Sequence, residues 1–206
     1  MLKIKSQSIV ILGSINPAIL QPKWLIQCGL IPKEKEVEYK FPVGAVIAPI
    51  QFRYEKLEWT VDYNRLQINI EDINEVIDLG EIISRVFSEL PHTPVKAIGH
   101  NFTYNLLGRV NRSSPIFAGL QLGENVNDFG KIDAVSQEID LVTSDKEKLK
   151  INIALKKEGI ECKFNYHSDV DSISKMIEVS QTYLNDNSRS FKIFKTISRG
   201  FNLIDG

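Results

Sequence analysis

The chain has 206 residues and a mass of 23.4 kDa, which is enough for one large domain or two small ones with a substantial core. Hydrophobic residues make up 43% and charged residues 25%, and the mean hydropathy is -0.12, which is ordinary for a soluble globular protein. Lys and Arg number 25 against 26 Asp and Glu, so the formal net charge of -1 gives no overall attraction to nucleic acid or an anionic membrane.

The cysteine content and the N-terminal segment indicate the cellular compartment. Cys28 and Cys162 are too few for a disulfide framework, so we predict two free, buried thiols in a reducing compartment. The apolar run at 9–12 is too short and too β-branched for a signal peptide. No apolar stretch approaches the roughly 18 residues of a membrane span. We therefore expect a cytoplasmic protein without a membrane partner, and no motif indicates a cofactor.

The N-terminal part predicts a strand and a short helix within residues 8–31. Residues 8–13 form an uninterrupted apolar run, which is typical of a fully buried strand. Pro22 suits the first position of a helix over 23–28, with Gly29 as its cap. Residues 33–45 are charged and then punctuated by proline and glycine, so we expect a connection there.

The next segment predicts three strands joined by short hairpin turns, then a helix and a strand. The three strands span residues 46–54, 57–63 and 66–70. Asp72 and Glu75 have the spacing of a capping box, and the apolar stripe that follows them ends before Pro91. Residues 95–106 are predicted to form the next strand.

The second half begins with a long connection at 107–133, which is rich in Gly, Asn, Ser and Pro and is expected either to contain short helices or to act as a functional loop. Three strands and a helix are predicted after it, with a possible final strand. They span residues 135–142, 149–155, 160–166, 171–184 and 191–197.

The order of predicted elements is similar in residues 46–106 and 134–198. We interpret this as a degenerate duplication of a β-β-β-α-β unit; two unrelated α+β stretches with similar hairpin spacing are the alternative. The predicted fold is a single α+β domain over residues 1–206, with an antiparallel sheet and helices on one face.

Residues 9–25 (IVILGSINPAILQPKWL) and 92–102 (HTPVKAIGHNF) together resemble an uncharacterised, sporadically distributed family of bacterial proteins with a two-repeat α+β architecture. The resemblance covers the first half of the chain, and the second half only by the order of its elements. It implies the fold and a bacterial origin, and it carries no catalytic residue to this chain.

The turn at 13–17, which includes Ser14 and Asn16, is a candidate ligand site. Adenylyl-transferring enzymes begin with a similar glycine-containing turn, where a helix N-terminus holds phosphate. Their chemistry also needs histidines shortly after the turn, and this chain has none there. The favoured interpretation is therefore a buried strand that leaves the sheet through a turn.

The strand at 95–106 carries the second candidate site. Alternation places His100 and Tyr104 on one face, where they could stack on a planar ligand with His100 as an acid or base, and Asn101 on the other face. A lone histidine without a partner defines no reaction, so a hydrogen-bonded histidine on a central strand is the favoured interpretation.

Two further groups of polar residues are weaker candidates. His167, Asp169 and Asp171 alternate at a strand end and could hold a cation, although helix capping explains both aspartates. Arg109 and Arg112 in the long connection could contact an anion or RNA, but no RNA-binding motif accompanies them.

The sequence favours a non-catalytic protein-interaction or assembly subunit that forms a homo-oligomer or binds a protein partner. One alternative is a nucleotide or small-ligand enzyme whose site joins the turn at 13–17 to His100, which requires His100 within hydrogen-bond reach of Ser14 or Asn16. A second alternative, nucleic-acid binding by the sheet, is disfavoured by the charge balance.

Overall fold

The computed structural model describes residues 2–33, 36–40, 49–71, 76–110, 134–144, 147–156, 159–199 and 203–204. A nine-stranded antiparallel sheet and four helices form these parts of the chain, which confirms the predicted α+β class. Strands are numbered in chain order. The sheet contains β1 (Leu2–Gly13), β2 (Glu38–Lys40), β3 (Ile50–Tyr54), β4 (Leu57–Val61), β5 (Arg65–Glu71), β6 (Val95–Leu107), β8 (Ala134–Ser144), β9 (Glu147–Lys156) and β10 (Gly159–Asp169). A separate pair joins β7 (Arg109–Val110) to β11 (Leu203–Ile204).

Strands from both halves of the chain join in one layer, in the order β2-β3-β4-β5-β1-β6-β10-β9-β8. The long strands β1 and β6 pair at the centre, and Ser8 lies opposite Asn101. Outside this pair, the meander β3–β5 flanks β1 and the meander β8–β10 flanks β6. On each side of the β1–β6 boundary, a long strand is therefore followed by a three-stranded meander, and β2 adds one further edge strand beside β3.

The four helices are α1 (Pro22–Gln27), α2 (Leu79–Ser88), α3 (Ile173–Ser180) and α4 (Tyr183–Arg199). Two of them contact the same face of the central strands. Tyr183 of α4 packs against Phe102 with ring centroids 5.0 Å apart, and the carbonyl of Ile77, just before α2, accepts a hydrogen bond from Gln7 at 2.9 Å. Ser84 of α2 and Ser180 of α3 bring their hydroxyl oxygens within 2.8 Å. Helices α2, α3 and α4 thus form one layer over the sheet.

The core lies between the sheet and these helices because alternate residues of each strand are apolar. On β6, Ile98, Phe102 and Tyr104 face the helices and are at most 2% exposed. The antiparallel register places Phe164 of β10 opposite Phe102, so the aromatic layer continues across strands. The opposite face carries the intervening polar residues. This agrees with the alternation of apolar and polar residues from which the strand at 66–70 was predicted.

Helix α2 begins later than the predicted capping box. Asp78 is its N-cap, and its carboxylate accepts a hydrogen bond from the backbone amide of Glu81 at 3.1 Å. Residues 76–78 are not helical, and the predicted cap at Asp72 and Glu75 lies outside the described residues.

The predicted final strand at 191–197 is wrong, because these residues belong to α4. Their apolar residues fit a period of two as well as a helical period, but Tyr183, Ser190 and Phe194 are buried on one face of a continuous helix. The single helix predicted at 171–184 also needs correction, because two helices occupy this region: α3 ends at Ser180 and α4 starts at Tyr183.

Other predicted boundaries need smaller corrections. Strand β1 begins at Leu2 rather than at residue 8, and the predicted connection at 33–45 contains the edge strand β2. Residues 41–48 and 111–133 lie outside the described residues. Both cysteines are free; Cys162 is buried as predicted, whereas Cys28 is only partly buried. None of the described helices combines the length and the apolar character needed to cross a membrane.

Candidate functional site

The turn at 13–17 is held by backbone contacts. The Ser14 amide donates to the carbonyl of Pro94 at 2.8 Å, and the Asn16 side chain accepts from the Ala18 amide at 3.0 Å. A Cβ at Gly13 would lie 2.3 Å from the Pro94 carbonyl oxygen, so close backbone approach alone explains this glycine. Ser14 and Asn16 line a small hollow of about 360 Å³. His100 does not line this hollow, so the structure does not bring it to Ser14 or Asn16.

His100 lies on the helix-covered face of β6 and is 2% exposed. Its Nδ1 is 2.7 Å from Oδ2 of Asp186 on α4, and the Thr182 hydroxyl donates to the same carboxylate oxygen at 3.0 Å. Ser190 donates to the backbone carbonyl of Asp186 at 2.8 Å. The histidine thus has a carboxylate partner that the sequence did not reveal, and the pair joins the sheet to α4.

Tyr104 is also buried beneath α4 and is not an accessible ligand-binding residue. Its hydroxyl donates to Asn187, and its ring stacks on Phe194 with centroids 5.3 Å apart. Burial, together with the nearby Tyr166, raises the pKa of Tyr104. This side chain anchors α4 to the sheet.

The predicted site residues therefore fall in different places. Ser14 and Asn16 lie at one end of the sheet, whereas His100 and Tyr104 lie beneath α4. Arg109 belongs to β7, and Arg112 lies outside the described residues. Asn101 lies on the face of the sheet opposite α2, α3 and α4, and polar side chains of neighbouring strands surround it.

A hollow of about 390 Å³ crosses the centre of this open face. Small residues form its floor. They are Ser8 of β1, which lies opposite Asn101, and Ala97 and Gly99, which precede Asn101 on β6. Arg65 and Gln67 of β5 line one side of it. On the other side are Asn165 and His167 of β10.

A second hollow of about 350 Å³ adjoins the first and shares Asn101 and Asn165 with it. It extends the concave surface over β10 to β9, where Lys163, Lys150 and Asn152 line it. We call the two hollows together the open-face groove. It spans five neighbouring strands, from β5 to β9.

The open-face groove is rich in amides and cations. The Asn101 amide donates to the Ser8 hydroxyl at 3.2 Å, and the Asn165 amide donates to the side-chain oxygen of Asn101. Three formally positive side chains and four amides line the groove, and none of its described lining residues is a carboxylate. They are Arg65, Lys150, Lys163, Gln67, Asn101, Asn152 and Asn165. The groove therefore favours an anionic ligand that also forms hydrogen bonds with amides.

The cations of the groove have partners at its rim. Lys150 donates to Glu138 at 2.9 Å, and this hydrogen bond, with the nearby Asp140, raises the lysine pKa. The carboxylate oxygens of Glu161 lie 2.8 Å from Lys156, 3.0 Å from Lys5 and 3.7 Å from Lys163. Lys150 therefore stays charged, and its exposed ammonium group can still face a ligand.

Burial keeps two potential nucleophiles of the described sheet, Cys162 and Tyr166, in their protonated forms. Burial raises the pKa of the Cys162 thiol to about 12, so little thiolate exists near neutral pH. Burial likewise raises the pKa of Tyr166 to about 12. Within the described ranges, no three or more His, Cys, Asp or Glu side chains are arranged to hold a metal ion.

Sequence reasoning identified Asn101 but missed most of the groove. The alternation of polar residues at 163, 165 and 167 was visible, whereas the pairing of β10 with β6 was not. His167 was considered with Asp169 and Asp171 as a cation site. In the structure its Nε2 lies 3.2 Å from Asp169, while Asp171 precedes Ser172, the N-cap of α3.

No protein-family model matches this chain, and no curated protein is significantly similar to it.

Proposed function

We propose that this protein is a non-catalytic interaction subunit whose open-face groove binds an acidic, extended segment of a partner protein. The observation that carries the proposal is a concave surface on the sheet face opposite α2, α3 and α4, with three cations and no carboxylate among its described lining residues. Five strands at about 4.8 Å spacing give a width of about 20–25 Å, which matches an extended peptide of about six or seven residues.

The amides of the groove favour a polypeptide as the occupant. Asn and Gln side chains offer both donors and acceptors, and an extended peptide presents the same two groups in alternation. Lys163 and Arg65 lie towards opposite ends of the groove, so acidic side chains along one peptide can reach both. Complementary charge of this kind sets the orientation and the association rate of a partner.

Nucleic acid is the less favoured anion. Proteins that bind single strands on a sheet stack the bases on exposed aromatic rings. Phe102 and Phe164 contribute to the floor of the groove, but each is 1% exposed and packs its ring on the helix side. The formal net charge of -1 adds no long-range attraction for phosphates.

The remaining expectations from the sequence accompany this proposal. We propose that the two halves derive from a duplication, and we replace the expected β-β-β-α-β unit by a β-β-β-β-α unit that consists of a long strand, a meander and a helix. The pairing of β1 with β6 at the centre of the sheet supports starting each unit at its long strand. A cytoplasmic location, a bacterial origin and a homo-oligomeric state belong to the same proposal.

The test is a fluorescence-anisotropy titration of the intact chain with a labelled oligoglutamate decapeptide, an oligolysine decapeptide and a dT12 oligonucleotide. We expect saturable binding of oligoglutamate, weakened by added salt, and weaker or no binding of the other two. The double variant R65E/K163E should weaken oligoglutamate binding about tenfold, from two exposed charge reversals. K192E is a control for a single charge reversal outside the groove, because Lys192 is an exposed lysine of α4 on the other side of the sheet.

Preferential binding of dT12 would contradict the choice of partner. Equal loss of binding in K192E would show that general charge, not the groove, attracts the peptide. If neither anion binds while sedimentation shows a stable dimer that R65E/K163E disrupts, the groove is an interface between copies of this chain.

A further inference from the structure

The open-face groove contains an apolar notch beside its amides. The floor of the notch is Gly99, and Ala97 precedes Gly99 on the same face of β6. Val10 of β1 lies opposite Gly99 and Leu12 lies opposite Ala97, so these two side chains form one wall. His167 of β10 lies opposite Gly99 on the other side and forms the second wall. We call this space the Gly99 notch.

The Gly99 notch has room for a side chain of a ligand. A Cβ built on Gly99 would have one described heavy atom within 4 Å, apart from the neighbouring residues in the chain, and this atom is the Tyr166 carbonyl oxygen at 3.5 Å. No described side chain therefore fills the space directly above Gly99. Leu12 is 40% exposed at the edge of the notch, although β1 is a central strand. Exposed apolar surface beside unfilled space gains free energy when an apolar group of a ligand covers it.

Two cations of the groove lie at similar distances on either side of the notch. Lys163 is four residues from His167 along β10, which is about 13 Å in a strand. Arg65 of β5 lies opposite Leu12, which places it two strands and about 12 Å from Gly99. An extended peptide covers either distance in about four residues, and residues four apart point to the same side. A peptide that crosses the notch can therefore meet both cations with acidic side chains.

We propose that the acidic segment bound by the open-face groove carries one apolar residue whose side chain occupies the Gly99 notch, with acidic residues four positions before and after it. The inference rests on the proposed function, since the groove must bind an extended acidic segment. It adds a requirement that charge alone does not impose, because the position of the apolar residue within the segment determines the affinity.

The test compares the binding of three labelled decapeptides to the intact chain by fluorescence anisotropy. The first peptide contains only glutamate, the second has leucine at its fifth position, and the third has leucine at its first position. The second peptide should bind about five- to tenfold more tightly than the other two, because burial of the leucine outweighs the loss of its conformational freedom. The third peptide has the composition and charge of the second, so it controls for nonspecific apolar attraction.

Two exposed leucines give a matched pair of variants that leave the core intact. L12S removes part of one wall of the notch, so it should remove most of the advantage of the second peptide and leave binding of the all-glutamate peptide unchanged. L141S removes a leucine of nearly equal exposure, 39%, from the edge strand β8 outside the groove. It should leave all three affinities unchanged.

The outcomes separate this inference from the proposed function. If the all-glutamate peptide binds and the position of leucine has no effect, the role of the Gly99 notch is refuted while the proposed function stands. Binding of the second peptide without binding of the first would support the notch and contradict attraction by charge alone. Absence of binding by all three peptides would refute both. Equal effects of L12S and L141S on the second peptide would also overturn the role of the notch.

Discussion

The contact between α2 and the C-terminal helices depends on the absence of a side chain at Gly80. A Cβ built at this position would lie 2.0 Å from the carbonyl oxygen of Ser180 and 2.8 Å from Cβ of Tyr183. Ordinary van der Waals contact begins near 3.4 Å. In the variant G80A, α2 must therefore move away from α3 by more than about 1 Å, because backbone atoms cannot rotate aside as a flexible side chain does.

Two opposing effects determine the stability of G80A. Alanine is favoured over glycine in a helix interior by about 1 kcal/mol, and by less at Gly80, the second residue of α2. Overpacking costs about 1–3 kcal/mol, and the close backbone contact places this site towards the upper end. We expect a net loss of about 2 kcal/mol in the free energy of unfolding, which lowers the Tm by about 4–8 °C for a chain of this length.

The matched control is G99A, on the open face of β6. A Cβ there would lie 3.5 Å from the Tyr166 carbonyl oxygen, which is ordinary van der Waals contact. We therefore expect the free energy of unfolding of G99A to change by no more than about 0.5 kcal/mol, and to rise rather than fall. Urea unfolding of both variants, followed by circular dichroism, measures the difference. If G80A matched G99A in stability, the close packing of α2 against α3 would be refuted.

The other predictions concern hydrogen bonds and pH. Burial opposes ionisation of Glu161, but hydrogen bonds from Lys156 and Lys5 outweigh it and lower the glutamate pKa to about 2. Because the folded pKa lies below the ordinary glutamate value of 4.5, this stabilisation is present above pH 4.5 and is lost as the pH falls towards 2. E161Q should therefore lower the free energy of unfolding by about 1–2 kcal/mol at pH 7, after a discount for the half-exposed lysines. The difference in unfolding free energy between E161Q and the unmodified chain should shrink as the pH falls from 4.5 towards 2; a difference that does not change with pH would contradict this. D186A leaves Nδ1 of buried His100 unpaired and should cost about 3 kcal/mol in urea unfolding, whereas Y104F, which loses one hydrogen bond to Asn187, should cost about 1 kcal/mol. Equal losses in D186A and Y104F would show that Asp186 does not anchor α4 through His100.

Local features could be read from the sequence with good accuracy. The alternation at 66–70 and the two residues after Tyr54 predict β4, β5 and their hairpins, because both signals lie within a few residues. Pro22 and Pro91 mark helix boundaries for the same reason. The α+β class and the single antiparallel layer follow from these hairpins.

Signals that lie far apart in the chain were missed. Helix α4 was predicted in part as a strand because its buried face includes Asp186 and Ser190, which interrupt the apolar stripe. These polar residues are buried because they hydrogen-bond to His100 and Tyr166 or to the helix itself. A pattern that counts only apolar residues cannot recognise such a face.

The sequence by itself determined most of the strands, the hairpins that join β3, β4 and β5, the apolar face of these strands, and the net charge. Only the tertiary structure decided that β6 lies between β1 and β10, so that Ser8, Asn101 and Asn165 share one groove and His100 meets Asp186. The physical reason is that side-chain alternation is a local property of each strand, whereas strand order and register depend on how all the apolar faces are buried together.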